Sequence, residues 1–203
     1  MKKISILILL FALYTFLVCH FSVITEWDKN IIIFVQEKMS NLPDWTINIS
    51  GQKLYDVMLY IPMIIGGIYF AVKKHYLNGI MLILSPYIAY WFNLFFKGLI
   101  NRPRPPLELQ IGTHTATASY VSTHTMMMMC LWGLIIFYMN KYCKNQTLKF
   151  SVNTFSVVWI LLSGFNRIWL GVHHPTDVIG AYILGLIFIL IYVRMAKFDL
   201  NSQ

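Results

Sequence analysis

His173 and Asp177 stand four residues apart, with Pro175 between them at a position suited to a first helical turn. On a helix that spacing lets the carboxylate lie under the imidazole and fix its tautomer. An imidazole held in this way is a competent nucleophile or base. His124 can then act as the general acid that protonates a leaving oxygen. Lys97, Arg104 and Arg167 are fixed cations; arginine suits bidentate phosphate oxygens, and lysine adds a point charge. Together these residue types describe chemistry on a phosphate. They are spread over about 80 residues of sequence, so the elements that carry them must gather them.

Those elements are membrane helices. Of the 203 residues, 58% are hydrophobic and 12% charged, and the mean hydropathy is +0.62. Soluble domains run about 45–50% apolar and about 25% charged, so a soluble enzyme, a coiled coil and a disordered chain are excluded. A bilayer core needs about 20 apolar residues per helix. Six stretches meet or approach that length, at about 4–25, 54–72, 79–100, 124–140, 151–171 and 175–193. The expected fold is all-α, a polytopic helix bundle with six transmembrane helices, forming a single membrane-embedded domain over 1–203. Lys2 and Lys3 before the first apolar run imitate a signal peptide, but no small-x-small site follows, and the run is read as an uncleaved span. Met126 to Met129 is read as lipid or core packing. Between the first two spans, Ile31 to Val35 is too short to cross and is flanked by charges. A short interfacial helix is expected there, with Trp27 and Trp45 at headgroup depth and a covering role without chemistry. Cys19, Cys130 and Cys143 have no metal-site spacing and suggest no disulfide framework.

A net charge of +8 and a pI near 9.4 would fit nucleic acid or anionic lipid. Once the spans are placed, the charge has a different meaning. With both termini inside, the cytoplasmic segments hold Lys2, Lys3, Lys73, Lys74, Lys141, Lys144, Lys149, Arg194 and Lys197 against Asp199 alone, and the remaining charges sum to zero. This predicts an N-in, C-in topology by the positive-inside rule and no nucleic-acid partner. It also sends Lys97, Arg102, Arg104, Ser122, His124, Arg167, His173 and Asp177 to the outer face, where ionisable groups beside a span are functional candidates. The start of the fourth span adds unpaired backbone N–H groups and a positive helix end, which also favour phosphate.

At these residues the chain resembles the type 2 phosphatidic acid phosphatase superfamily, the lipid phosphate phosphatases. Lys97-x6-Arg104-Pro105 resembles its first signature, Ser122-Thr123-His124 its second, and Arg167-x5-His173-x3-Asp177 most of its third. The resemblance implies that Lys97, Arg104, Ser122, Thr123 and Arg167 bind phosphate and that His173 attacks phosphorus to form a phosphohistidine. It implies further that Asp177 orients His173, and that His124 protonates the leaving group and then activates water. No metal or other cofactor is implied, because cations supply the charge stabilisation. Val121, Thr123 and Asn166 replace the usual Pro, Gly and Ser. A Cβ at 123 predicts a narrower approach for phosphate or a barred positive φ, whereas Asn166 can still donate a hydrogen bond.

The resemblance implies a bacterial-type protein of the cell (inner or plasma) membrane, with a membrane lipid phosphate as substrate; undecaprenyl diphosphate and phosphatidylglycerol phosphate lead, and phosphatidic acid remains. Arg102 is read as a headgroup contact, a substrate contact or a residue behind the site, and His174 as a rim residue or partner of the site. Asn93 either orients Lys97 or bonds across helices. His20, His75 and His114 match no motif. Three other readings stay open at this point. They are a zinc hydrolase using His114, His124, His173, His174 and Asp177, a non-catalytic binder of lipid phosphate, and a phosphotransferase with a lipid acceptor. The oligomeric state is not readable.

Overall fold

The computed structural model describes residues 2–41, 52–111 and 117–200. Among these residues the chain is helical and has no strand. α1 (Lys2–His20) leads into α2 (Ser22–Lys38), followed by α3 (Gln52–Val72), α4 (Tyr76–Ile100), α5 (Thr123–Tyr142), α6 (Gln146–Trp169) and α7 (Pro175–Leu200). A short 3₁₀ turn, Leu107–Leu109, lies in the connection between α4 and α5.

α5 is the axle of the bundle. It packs against α4, α6 and α7, and α1 closes the far side of α7. Its methionines Met126, Met127 and Met128 are buried and Met129 partly so, filling irregular gaps as unbranched side chains do. Below them Leu131, Leu134 and Tyr138 meet Leu59, Met63 and Phe70 of α3 and Leu82 of α4. The outside is apolar as well. Ile64, Ile68, Phe95, Leu161 and Leu162 are among many large hydrophobic side chains left exposed, an arrangement that lipid, not water, stabilises. α3, α4, α6 and α7 are each long and apolar enough to cross a membrane, and the bent pair α1 and α2 makes a fifth if taken as one span. α5 falls short of that standard, since Thr123, His124, Thr125, Asn140 and Lys141 dilute it, and most of its surface faces protein. The chain is thus a multi-pass membrane protein.

The first expected span, 4–25, needs correction. Its helix stops at His20, Phe21 is extended (φ −105°, ψ 108°), and α2 leaves at 84° to α1. The apolar run continues through Val23 and Ile24 without a breaker, so the turn has no local signature. Its cause is tertiary: α2 is pulled across the bundle by Gln36, whose Nε2 donates to the Leu109 and Trp169 carbonyls at 2.7 and 3.0 Å, and by the buried Asp28. The helix expected over Ile31 to Val35 therefore begins at Ser22, and its Asp28 and Gln36 bond into the bundle. Trp27 is exposed on this helix; Trp45 lies outside the described residues.

Candidate active site

The site is built from two tight helix exits and the two helix starts that follow them. Lys97 lies in the last turn of α4, which ends on Asn101 in the left-handed conformation (φ 46°, ψ 38°), its N–H bonded to the Lys97 carbonyl at 2.9 Å. Asn tolerates this cap better than most residues. The reversal puts Arg102 and Arg104 back under the bundle end instead of out along the helix. Lys97 is itself buried, and its Nζ donates to the carbonyls of Ala118 and Ser119 at 2.6 and 3.3 Å. The Ser119 N–H in turn donates to the Arg102 carbonyl at 2.8 Å, so the loop entering α5 is sewn to the loop leaving α4.

The second exit ends α6. Gly171 is left-handed (φ 63°), and a Cβ there would run into the Leu109 carbonyl oxygen. This glycine lets the chain fold back so that the N–H groups of Val172 and His173 donate to the Arg167 carbonyl at 3.2 and 3.3 Å. Pro175 then starts α7, and Asp177 sits in its first turn. His173 Nδ1 lies 3.5 Å from Asp177 Oδ2. Because an ionised carboxylate only accepts, this neighbour places the ring proton on Nδ1 and leaves the Nε2 lone pair outward. Arg104 Nη1 faces that lone pair at 3.4 Å, while its other contacts go to the Val172 carbonyl at 2.5 Å, the Thr117 carbonyl at 2.7 Å and the Thr117 hydroxyl at 2.9 Å. Burial pushes the His173 pKa down to about 3, with Lys97 and Arg104 adding to the shift and Asp177 opposing it. The imidazole is therefore neutral at physiological pH, the state a nucleophile needs.

Asp177 is held by more than His173. Its Oδ1 accepts from Arg102 Nη1 at 2.5 Å, and its Oδ2 accepts from the His174 N–H at 2.9 Å and from the Ser119 hydroxyl. Ser119 Oγ is also 3.5 Å from His173 Nδ1. Arg102 is buried and makes a second ion pair, Nη2 to Asp28 Oδ2 at 2.9 Å. Burial works against its charge, but Asp177 and Asp28 outweigh that cost and raise its pKa. The headgroup reading of Arg102 is thereby overturned: the guanidinium is consumed between two carboxylates. His174 is likewise buried, not on the rim, with Nδ1 3.9 Å from Asp28 Oδ2; burial lowers its pKa.

The start of α5 supplies the remaining candidates. Ser122 is the N-cap, fully buried, its N–H donating to the Asp177 carbonyl at 3.3 Å and its Oγ accepting from the Thr125 hydroxyl at 3.0 Å. Thr123 is helical and does not adopt a positive φ; its hydroxyl accepts from Asn93 Nδ2 at 2.8 Å, and the same amide group donates to the Val121 carbonyl at 3.1 Å. Asn93 thus bonds across to the α5 entrance and not to Lys97. The His124 ring meets the Tyr55 ring edge-on, centroids 4.4 Å apart, and lies within electrostatic reach of the charges of Arg167, Lys97 and Arg104. Arg167 and Asn166 line a cavity of about 270 Å³ whose walls include Leu54, Tyr55, Trp159 and Leu162. Among the described residues no cluster of three His, Cys, Asp or Glu side chains could hold a metal ion; His114 lies outside those residues. Sequence reasoning missed Asp28, Ser119, Tyr55 and Thr176. Of these only Asp28 carried a signal, as an acid inside the apolar stretch that became α2.

In this geometry four helix ends close over a histidine flanked by a carboxylate and arginines. The PAP2 superfamily model matches residues 78–200, and the chain belongs to that superfamily. Phosphatidylglycerophosphatase B of Bacillus subtilis (strain 168) is 29% identical over 143 residues, which is 70% of this chain and 68% of that protein. Undecaprenyl-diphosphatase BcrC of the same organism is 30% identical over 128 residues, covering 61% of this chain and 59% of that one. The crystal structure of a transmembrane PAP2 type phosphatidylglycerolphosphate phosphatase from Bacillus subtilis superposes with a TM-score of 0.78 at 22% identity, covering 100% of this chain and 98% of that one. The fold is thus that of a membrane PAP2 protein, and the chain is a phosphatase.

Proposed function

We propose that this protein removes the terminal phosphate from a membrane lipid phosphate or diphosphate, such as phosphatidylglycerol phosphate or undecaprenyl diphosphate, through a phosphohistidine on His173. The observation that carries the reading is the His173 ring, neutral, with Nδ1 toward Asp177 and Nε2 toward Arg104. In the first step the Nε2 lone pair forms the N–P bond as the bond from phosphorus to the leaving oxygen breaks, and His124 gives that oxygen a proton. In the second, His124 takes a proton from water, the water oxygen bonds phosphorus, and the N–P bond breaks. Lys97, Arg104 and Arg167 hold the equatorial oxygens, with Ser122 and Thr123 at the helix start, and bear the charge that a metal would otherwise carry. Lys97 and Arg104 bond backbone carbonyls here and turn from them to phosphate.

The lipid part of the reading is supported by the apolar cavity that ends at Arg167, which gives the first carbons of a chain a place beside the phosphate site. It is also supported by the names of the two Bacillus relatives. The six-span, N-in and C-in arrangement, with the site on the outer face of the cell membrane, is supported by the gathering of basic residues on the opposite side. The test is phosphate release from a panel of lipid monophosphates and diphosphates by protein purified in detergent. Release that vanishes in His173→Ala, with a labelled phosphoprotein trapped in wild type, is expected. Wild-type release no greater than that of the variant across the panel would leave only lipid binding, and release from a soluble sugar phosphate alone would remove the lipid.

A further inference from the structure

α2 brings a carboxylate to the site from a part of the chain that lies outside the matched family region. Asp28 is 1% exposed, and its neighbourhood accounts for both of its oxygens. Oδ1 accepts from the Thr176 N–H at 3.0 Å, and Oδ2 accepts from Arg102 Nη2 at 2.9 Å and the Thr176 hydroxyl at 2.5 Å. Thr176 is the residue next to Asp177 and also takes a bond from Arg102 Nη1 at 2.9 Å; its carbonyl accepts from the Tyr14 hydroxyl at 2.9 Å. A desolvated acid is kept only where it is paired, because an unpaired charge of this kind is costly to bury.

The consequence concerns Asp177. A lone buried Arg102 at 2.5 Å would pair one-to-one with that carboxylate and cancel its charge. With Asp28 on the other edge of the guanidinium, one positive charge is divided between two negative ones, and the trio carries a net negative charge directed at His173 Nδ1. The same contacts fix the first turn of α7, and so the position of Asp177 relative to the ring. Resting on the phosphohistidine reading, we infer that Asp28 is a positioning residue for this reaction: through Arg102 and Thr176 it holds Asp177 in place and leaves it the charge with which it orients His173 and stabilises the imidazole as the N–P bond forms. α2 is then part of the catalytic apparatus, although it contributes nothing that touches substrate.

The experiment compares Asp28→Asn and Asp28→Glu with wild type, in detergent and in phospholipid vesicles containing phosphatidylglycerol phosphate, reading kcat, KM and the thermal midpoint. Asp28→Asn keeps the shape but removes the charge. It lowers kcat about tenfold to a hundredfold, the range usual for partners that orient a reacting side chain, and leaves KM within about threefold, since no phosphate contact is lost. Asp28→Glu recovers part of kcat. An unchanged kcat in Asp28→Asn overturns the inference, as does a parallel loss of kcat, KM and thermal midpoint with no recovery in Asp28→Glu. Thr176→Val removes one donor to Asp28 without altering a charge, and it tests the same contact should Asp28→Asn not fold; it lowers kcat alone, and a wild-type kcat there also overturns the inference. The role of Asp28 and the phosphohistidine are separable. Loss of release in His173→Ala beside full activity in Asp28→Asn sinks only the role of Asp28, whereas release that survives His173→Ala sinks the phosphohistidine itself.

Discussion

Replacing Asp177 by asparagine tests the site at its most constrained atom pair. The carboxylate is fully buried and surrounded by donors: Arg102 on Oδ1, the Ser119 hydroxyl and the His174 N–H on Oδ2, with His173 Nδ1 beside them. An amide of the same shape must put its NH₂ on one of those two sides. If the NH₂ takes the Oδ2 side, it faces two donors and the His173 Nδ1–H, and the ring is driven to the tautomer whose lone pair points inward. If it takes the Oδ1 side, it faces the Arg102 guanidinium. Either choice also removes the charge that favours the imidazolium-like state of the attacking ring. In a histidine oriented by a buried carboxylate, the wrong tautomer costs about 10⁴ in kcat, or about 5.5 kcal/mol. The stability loss is smaller than the roughly 3–5 kcal/mol usual for breaking a buried pair, because Arg102 retains Asp28. Single-turnover release and trapping of labelled phosphoprotein in Asp177→Asn measure the catalytic loss directly. A kcat within tenfold of wild type, in a variant with an unchanged thermal midpoint, would refute the claim that Asp177 sets the state of His173.

Gly171→Ala places a Cβ against the Leu109 carbonyl at a left-handed φ and should cost roughly 1–3 kcal/mol, with loss of activity as the turn bearing His173 shifts; thermal unfolding and phosphate release read both. Thr123→Gly, which restores the family residue, removes the acceptor for Asn93 and weakens the first turn of α5, so it should lower stability by roughly 1–2 kcal/mol without raising kcat. His173 titrates at about 3 when folded against 6.5 as its ordinary value, so the unfolded chain binds the extra proton between those values. Its contribution to stability is complete above about pH 6.5 and is lost as pH falls toward 3; thermal midpoints measured down this range should fall, and His173→Asn should flatten the slope.

The sequence by itself determined the solvent and the family, and it supplied the residues proposed to react. Composition alone demands lipid around the bundle, because no water-solvated surface can be made from 12% charged residues. The spacing from His173 to Asp177 allows their pairing, but His173 precedes α7, and the reversal at Gly171 brings its ring to the carboxylate. The tertiary structure decided what surrounds that pair. Asp28 and Ser119 belong to no local pattern with Asp177; they reach it because α2 turns by 84° after His20 and the α5 entrance is pinned to Lys97 and Asn93. Arg102 shows the difference most clearly. Its sequence context allows a headgroup contact, yet its energy depends on two carboxylates 149 residues apart in the chain. Local periodicity reports which face of a helix is apolar. It cannot report which distant charge will meet a buried one, because that choice is made by the desolvation cost of the whole packed arrangement.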